Sequence, residues 1–193
     1  MSLRVNKKVQ EGIKKRYKPL VIKKQHIMIA FIILIISFFI DIKRIIVLVA
    51  LCVINTILLS LDRYISLPVD LEFSTFSAIS FAIVYDLKWG LVAGILTKVV
   101  TMAYNANVRA DHFFMMGGYS MAAVIAAIMT PGFNIITIGI VATIIVNIYI
   151  VFVSIYITNL YPVEIIMYGF SNFMFNIFLF VAFSEPLLFI MGL

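Results

Sequence analysis

The chain is poor in the residues on which most soluble chemistry is built. It has one cysteine in 193 residues, so no disulfide can form within it and no paired-cysteine zinc or redox motif exists. Cys52 lies inside an apolar run and reads as a small core residue. The two histidines, His26 and His112, are far apart, and neither has a second histidine at helical spacing, which leaves no clustered-ligand pattern for a metal. Walker A, GxSxG and HExxH signatures are missing as well. The sequence therefore reads as neither an enzyme nor a protein that binds ATP itself, and it implies no cofactor. A transporter that borrows an ATPase from a partner stays open.

Charge is scarce too. Only 12% of residues are charged, nine of the fifteen lysines and arginines fall in the first 24 positions, and none follows Arg109. Against this, 64% of the chain is hydrophobic and its mean hydropathy is +1.13. A soluble domain of this length could not hide so much apolar surface, so its solvent is lipid. Residues 1–25 form a basic tail, and residues 26–193 form a single transmembrane helical domain. The tail (NKKVQEGIKKRYKPLVIKK over 6–24) reads as a cytoplasmic topology anchor held by anionic lipids, because cations beside a span are what the positive-inside rule expects. A nucleic-acid or partner-docking arm is the sharper reading and the less favoured one. A cleavable signal peptide is not expected: the apolar run 27–40 leads into Asp41-Ile42-Lys43-Arg44 and not into a small-x-small site.

Apolar runs at 26–40, 45–61, 71–85, 89–104, 113–129, 135–160 and 165–183 predict helices, since an open strand in lipid leaves its backbone unpaired and no ten-residue alternation is present. Turns are expected at Asp86-Leu87-Lys88, at 130–134 and at Tyr161-Pro162-Val163-Glu164, with Pro68 leading into the third run and Ser184-Glu185-Pro186 stopping the last. The fold class is thus an all-α membrane protein, a polytopic bundle of six core transmembrane helices plus an N-terminal basic and apolar segment. Run 26–40 is the ambiguous one. Its uncharged core is shorter than the ~17–25 residues of a span; if it crosses there are seven spans, and if it does not there are six with both termini cytoplasmic. Counting lysine and arginine on each side slightly favours six. Either way, the connections 62–70, 105–112 and 161–164 share one side of the membrane, so the polar chemistry collects there.

Lys98, in the middle of an apolar helix, is the sharpest candidate. A lysine there must be paired, face a cavity or snorkel, and Glu72, Asp111 and Glu164 are its candidate partners. Asp70 and Glu72 read either as helix-capping, dipole-stabilised acids or as a cation or substrate-amine site, and a joint site needs an extended start. The stretch 105–112 brings Asn107, Arg109, Asp111 and His112 together, either as a capped helix start or as a ligand lid. Asn147, Asn159, Asn172 and Asn176 read as interhelical hydrogen-bonding groups or ligand contacts; Asn172 and Asn176, four apart, share a face. Gly90 and Gly94 permit close helix packing, and Gly117-Gly118 marks a break or a close contact.

The stretch 67–127 has a proline-containing helix entry (Pro68), a small-residue run (Ser77-Ala78-Ile79-Ser80), a tight turn at 86–88 and a GxxxG helix (Gly90, Gly94). A polar loop at 105–112 and a small-residue helix at 117–127 come after it. In this it resembles the substrate-binding S components of energy-coupling factor (ECF) transporters. The resemblance implies six helices and capture of a vitamin-like or related small molecule from outside. It also implies work in the cell membrane with a membrane coupling subunit and cytoplasmic ATPases, without nucleic acid. Lys98, Asn107, Arg109, Asp111, Asn172 and Asn176, with Asp70 and Glu72, are then the substrate-binding candidates by position. A closed pocket of roughly 300–1,000 Å³ is expected, lined by Trp89, Tyr104, Tyr119 and Tyr168. The run 26–40 and the long tail are extra to that family. The histidine-bearing N-terminus of its nickel and cobalt members is absent, which disfavours a metal substrate. The alternative is a membrane scaffold of the MreD kind, which organises cell-shape or envelope machinery and binds proteins, not solutes. A lipid-acting membrane enzyme lacks the acidic or histidine motifs it would require.

Overall fold

The structure, a computed structural model, describes residues 42–65, 69–106, 108–158 and 160–192, with the side chains of 61–65 outside the description. The basic tail, run 26–40, Pro68, Asn107 and Asn159 lie outside the described residues. The chain divides into residues 1–42 and 43–193, and every described residue but Ile42 belongs to the second unit.

Every regular element described is a helix: α1 Ile42–Ile65, α2 Ser74–Val84, α3 Leu87–Tyr104, α4 Ala110–Met129, α5 Ile135–Ile157 and α6 Pro162–Met191. Five of these, all but α2, are long and apolar enough to cross a membrane. Run 71–85 is shorter as a helix than its apolar length suggests. At 11 residues, α2 is about 16 Å long, against a hydrocarbon core of about 30 Å. Residues 69–73 before it are not helical. Their backbone is satisfied by side chains: the Asp70 N–H donates to Ser171 Oγ at 2.8 Å and the Phe73 N–H to Asn55 Oδ1 at 2.7 Å.

The short helix α2 is the hub of the unit. All nine residues from Ser74 to Ala82 are buried. Small side chains let α3 approach it closely: a Cβ on Gly90 would sit 2.6 Å from Ala82 Cβ and 2.7 Å from the Ala78 carbonyl oxygen, and one on Gly94 would sit 3.0 Å from Ala78 Cβ. The other flank is aromatic. Phe73 and Phe76 make edge contacts with Phe175 and Phe180 of α6 at centroid distances of 5.5 and 5.0 Å. The main core (Phe76, Ile79, Tyr119, Ala122, Ala123, Ala126, Ala142, Val146, Phe180) joins α2, α4, α5 and α6, and a second cluster sets Val47, Leu48 and Leu51 of α1 against Phe81, Ala93 and Met191. Large apolar side chains such as Ile148, Phe152 and Ile155 of α5 stay exposed on the outside, as a lipid-facing surface requires.

Turn residues act as the sequence suggests. Asp86 caps α3, accepting from the Trp89 N–H at 2.9 Å, and Asn134 caps α5, accepting from the Thr137 N–H at 2.8 Å. Gly117-Gly118 does not break α4; it admits α5, whose Tyr149 and Val146 lie 3.3 Å from where a Cβ on Gly118 would be. One expectation fails. Ser184-Glu185-Pro186 does not end the last helix, which runs on to Met191 and closes on Gly192 in the left-handed region (φ 103°). An interior proline costs a helix about 3 kcal/mol. Here the Ser184 hydroxyl donates to the Phe180 carbonyl, and the turn beyond is fixed by tertiary contact. Met191 is buried in the second cluster, and Tyr85 Oη donates to its carbonyl at 3.2 Å.

Candidate functional site

The entry to α2, the α3–α4 connection and the α5–α6 connection meet at one end of the unit, and a cavity of about 240 Å³ opens between them. Helices α3 to α6 wall it, joined by Leu59 of α1. Depth follows chain direction: Lys98 of α3, Met115 of α4, Asn147 of α5 and Asn172 of α6 form the floor, joined by Asp70, while Asn105, Arg109, Asp111, Thr158 and Leu160 stand at the mouth. Lys98 lies six residues before the end of α3, about 9 Å below it.

A buried ion pair backs this floor. Lys98 Nζ donates to Glu72 Oε2 at 2.9 Å, with 6% and 0% of the two side chains exposed. Glu72 is held by two further donors, Tyr119 Oη at 2.6 Å on the same oxygen and Ser74 Oγ at 2.6 Å on the other. Ser74 Oγ in turn accepts from Thr97 Oγ1 at 3.0 Å. Asn55 of α1 ties this cluster to α3, donating to the Thr97 carbonyl at 3.3 Å and to Thr101 Oγ1 at 3.2 Å. A buried pair holds together only where the remaining lone pairs are also satisfied, and Glu72 meets that condition with three donors. The non-helical start makes this possible, because it brings Asp70 and Glu72 to the same site without helical spacing between them.

The second wall is a row of amides. Asn172 Nδ2 donates to Asp70 Oδ2 at 3.1 Å, and Asn172 Oδ1 accepts from Asn147 Nδ2 at 3.2 Å and Asn176 Nδ2 at 3.1 Å. At the mouth, Arg109 and Asp111 pair with each other at 2.9 Å. Asp111 does not cap α4, whose cap position is Arg109 with no side-chain cap bond. His112 lines the cavity, and its Nδ1 is buried with no hydrogen-bond partner among the described residues.

Of the sequence candidates, Lys98, Arg109, Asp111, Asn172 and Asp70 line the cavity. Glu72 stands behind Lys98, and Asn176, fully buried, lies one turn below the floor. Asn107 is outside the described residues. Of the three partners suggested for Lys98, Glu72 is the one it takes; Glu164 caps its own helix, accepting from the Tyr161 N–H at 3.2 Å. The aromatic lining is largely corrected. Tyr168 is at the cavity, but Tyr119 is buried beneath Glu72, Tyr104 is 74% exposed outside, and Trp89 sits at the far end, where Arg44 stacks 5.8 Å from its ring. The volume is also below the expected range. Sequence reasoning missed Asn55, Ser74 and Thr97; for Thr97 the available signal was a polar residue directly beside Lys98 in an apolar helix. Among the described residues no three His, Cys, Asp or Glu side chains gather as a metal set.

Comparison with protein-family models, with curated proteins and with solved structures gives no match to this chain.

Proposed function

We propose that this chain is the substrate-binding membrane subunit of an ECF-type transporter, capturing a vitamin-like or related small molecule at the cell membrane. A membrane coupling subunit and cytoplasmic ATPases would supply the energy. The observation that carries the reading is the cavity of about 240 Å³ with Lys98 on its floor. A lysine at this depth is costly unless it is paired or serves a cavity, and Lys98 does both. A scaffold that binds only proteins has no need of a polar hollow between its helices.

In this reading the sixth crossing is a broken one. α2 covers about half of the hydrocarbon core, and the five non-helical residues before it reach at most about 3.3–3.6 Å each, which supplies the other half. Irregular backbone at membrane depth is tolerated where it is buried or lines a cavity. The Asp70 and Phe73 N–H groups meet that demand through Ser171 and Asn55.

Native mass spectrometry of the full chain released from membranes in mild detergent tests the reading. A small molecule bound one to one is expected. Ser154→Phe, which fills the cavity from α5 without touching the Lys98–Glu72 pair, is expected to remove it. A protein that emerges empty and carries a stoichiometric membrane scaffold instead would overturn solute capture and favour the MreD-like alternative.

A further inference from the structure

The hydrogen-bonding polarity of the cavity floor is fixed by a relay that starts at Asp70, and it restricts what the cavity can hold. The Asp70 carboxylate accepts from Asn172 Nδ2, which forces Asn172 to turn its carbonyl oxygen toward α5. That oxygen takes the Asn147 amide nitrogen at 3.2 Å, and the same nitrogen also donates to the Thr143 carbonyl at 2.9 Å. Both hydrogens of the Asn147 amide are thereby used. Its Oδ1 is left over, at the cavity wall, with no hydrogen-bond partner among the described residues. Beside it is Gly169, where even a Cβ would come within 2.8 Å of Val151 Cγ2 and 4.0 Å of Asn147 Oδ1.

Lys98 presents the opposite polarity. One of its three N–H donors goes to Glu72, and the residue lines the cavity. The cavity therefore offers an acceptor, Asn147 Oδ1, and a donor, Lys98 Nζ, with His112 Nδ1, also unpartnered among the described residues, as a further polar group on its lining. Among the described residues it does not offer spare positive charge. Lys98 is balanced by Glu72, and Arg109 at the mouth is engaged by Asp111. Among the described residues an anion would meet no uncompensated cation there, and a phosphate no cluster of the kind it needs. Met115, Ile150 and Val151 make the flanks apolar, and the volume of about 240 Å³ is below the ~300–1,000 Å³ of drug-sized sites.

From this we infer that the cavity takes a small molecule bearing a carbonyl acceptor and an N–H donor on a compact apolar body: a carboxamide, lactam or ureide. The inference rests on the solute-capture reading and adds the ligand class. The ligand carbonyl accepts from Lys98 Nζ, and its N–H donates to Asn147 Oδ1. Glu72, Tyr119 and Ser74 position the lysine, and Asp70 and Asn172 orient the amide.

Four probes of similar size test it on the full chain in detergent, by calorimetry or saturation-transfer NMR: benzamide, acetophenone (the carbonyl without the N–H), benzoate and benzylamine. Benzamide is expected to bind about tenfold tighter than each of the others, since a buried polar group left unpaired costs on the order of that factor. Asn147→Leu is expected to erase the difference between benzamide and acetophenone. Equal binding of those two by the unaltered chain, or tighter binding of benzoate or benzylamine, overturns the inference; this comparison decides the matter even if Asn147→Leu fails to fold. If a native solute co-purifies and blocks the probes, its identity decides: an amide, lactam or ureide supports the ligand class, and a species of any other class overturns it while leaving solute capture standing. A chain that binds none of the four probes and carries no solute overturns both.

Discussion

Lys98 is the residue whose role was most legible from sequence, because lipid makes its position expensive whatever the fold. Composition could not choose among three carboxylates as its partner, since that choice depends on where a non-helical stretch ends. The structure selects Glu72 and adds Tyr119 and Ser74 as second and third donors to it. Removing one member should therefore cost much more than neutralising both. Lys98→Met leaves a buried carboxylate with two neutral donors and no counter-ion, an arrangement that destabilises by about 3–5 kcal/mol. In the Lys98→Met background, Glu72→Gln removes that charge while keeping an acceptor for Tyr119 or Ser74, and should recover a large part of the loss. Apparent melting temperatures of the detergent-solubilised proteins check this. The order unaltered, then double, then Lys98→Met is expected; a double variant no better than Lys98→Met would mean that the pair is not what holds Glu72. The amide row was half legible. Asn172 and Asn176 share a helix face by spacing, but only the packing of α5 on α6 shows that Asn172 reaches the cavity while Asn176 is turned to the layer below.

The elements themselves were read well where an apolar run ends in a residue with a distinct backbone role, as at Asp86 and Asn134, which cap α3 and α5. They were read poorly where tertiary packing overrides a local signal. Pro186 is a stop by propensity, yet α6 continues because Met191 and Leu187 have a cluster to enter. Run 71–85 reads as one helix, yet only Ser74–Val84 is helical, because Asn55 and Ser171 supply the preceding backbone with partners. The GxxxG pattern on α3, a weak signal by itself, does mark a contact. Gly90→Ala would place a Cβ 2.6 Å from Ala82 Cβ and 2.7 Å from a backbone oxygen of α2. Neither obstacle is a flexible side-chain end, so α2 and α3 must move apart, at a cost of about 1–3 kcal/mol. Gly132 in the α4–α5 turn has nothing within 4 Å of its added Cβ and a φ outside the left-handed region, so Gly132→Ala should leave stability nearly unchanged. Thermal unfolding of the two variants side by side checks the contrast; equal effects would show that the α2–α3 approach is looser than this.

At the scale of the whole unit, the gathering of three polar connections at one end follows from chain order alone, since successive helices alternate in direction. The volume and lining of the hollow between them do not, because they depend on how each helix is rotated about its axis. Trp89 shows the limit: it begins α3 next to the turn at the far end, with Arg44 stacked over it. That far end also holds Lys43 and Lys88, while Arg109 stands at the cavity end and Arg63 in the last turn of α1. The balance of cations in the described residues thus slightly favours the Trp89 end as cytoplasmic, and the Tyr85, Trp89 and Arg44 stack, at 4.5 and 5.8 Å, fits an interfacial anchor. With that orientation the cavity opens outward, as capture from outside demands. Single cysteines at Val108, 66% exposed beside the mouth, and at exposed Lys88, each in a Cys52→Ala background, resolve the orientation. On intact cells a membrane-impermeant maleimide should label Val108→Cys and spare Lys88→Cys, with both reacting after permeabilisation. Labelling of Lys88→Cys alone would turn the cavity toward the cytoplasm. Uptake from outside would then fail as a function, even though the buried Lys98–Glu72 pair and the amide row stayed as they are.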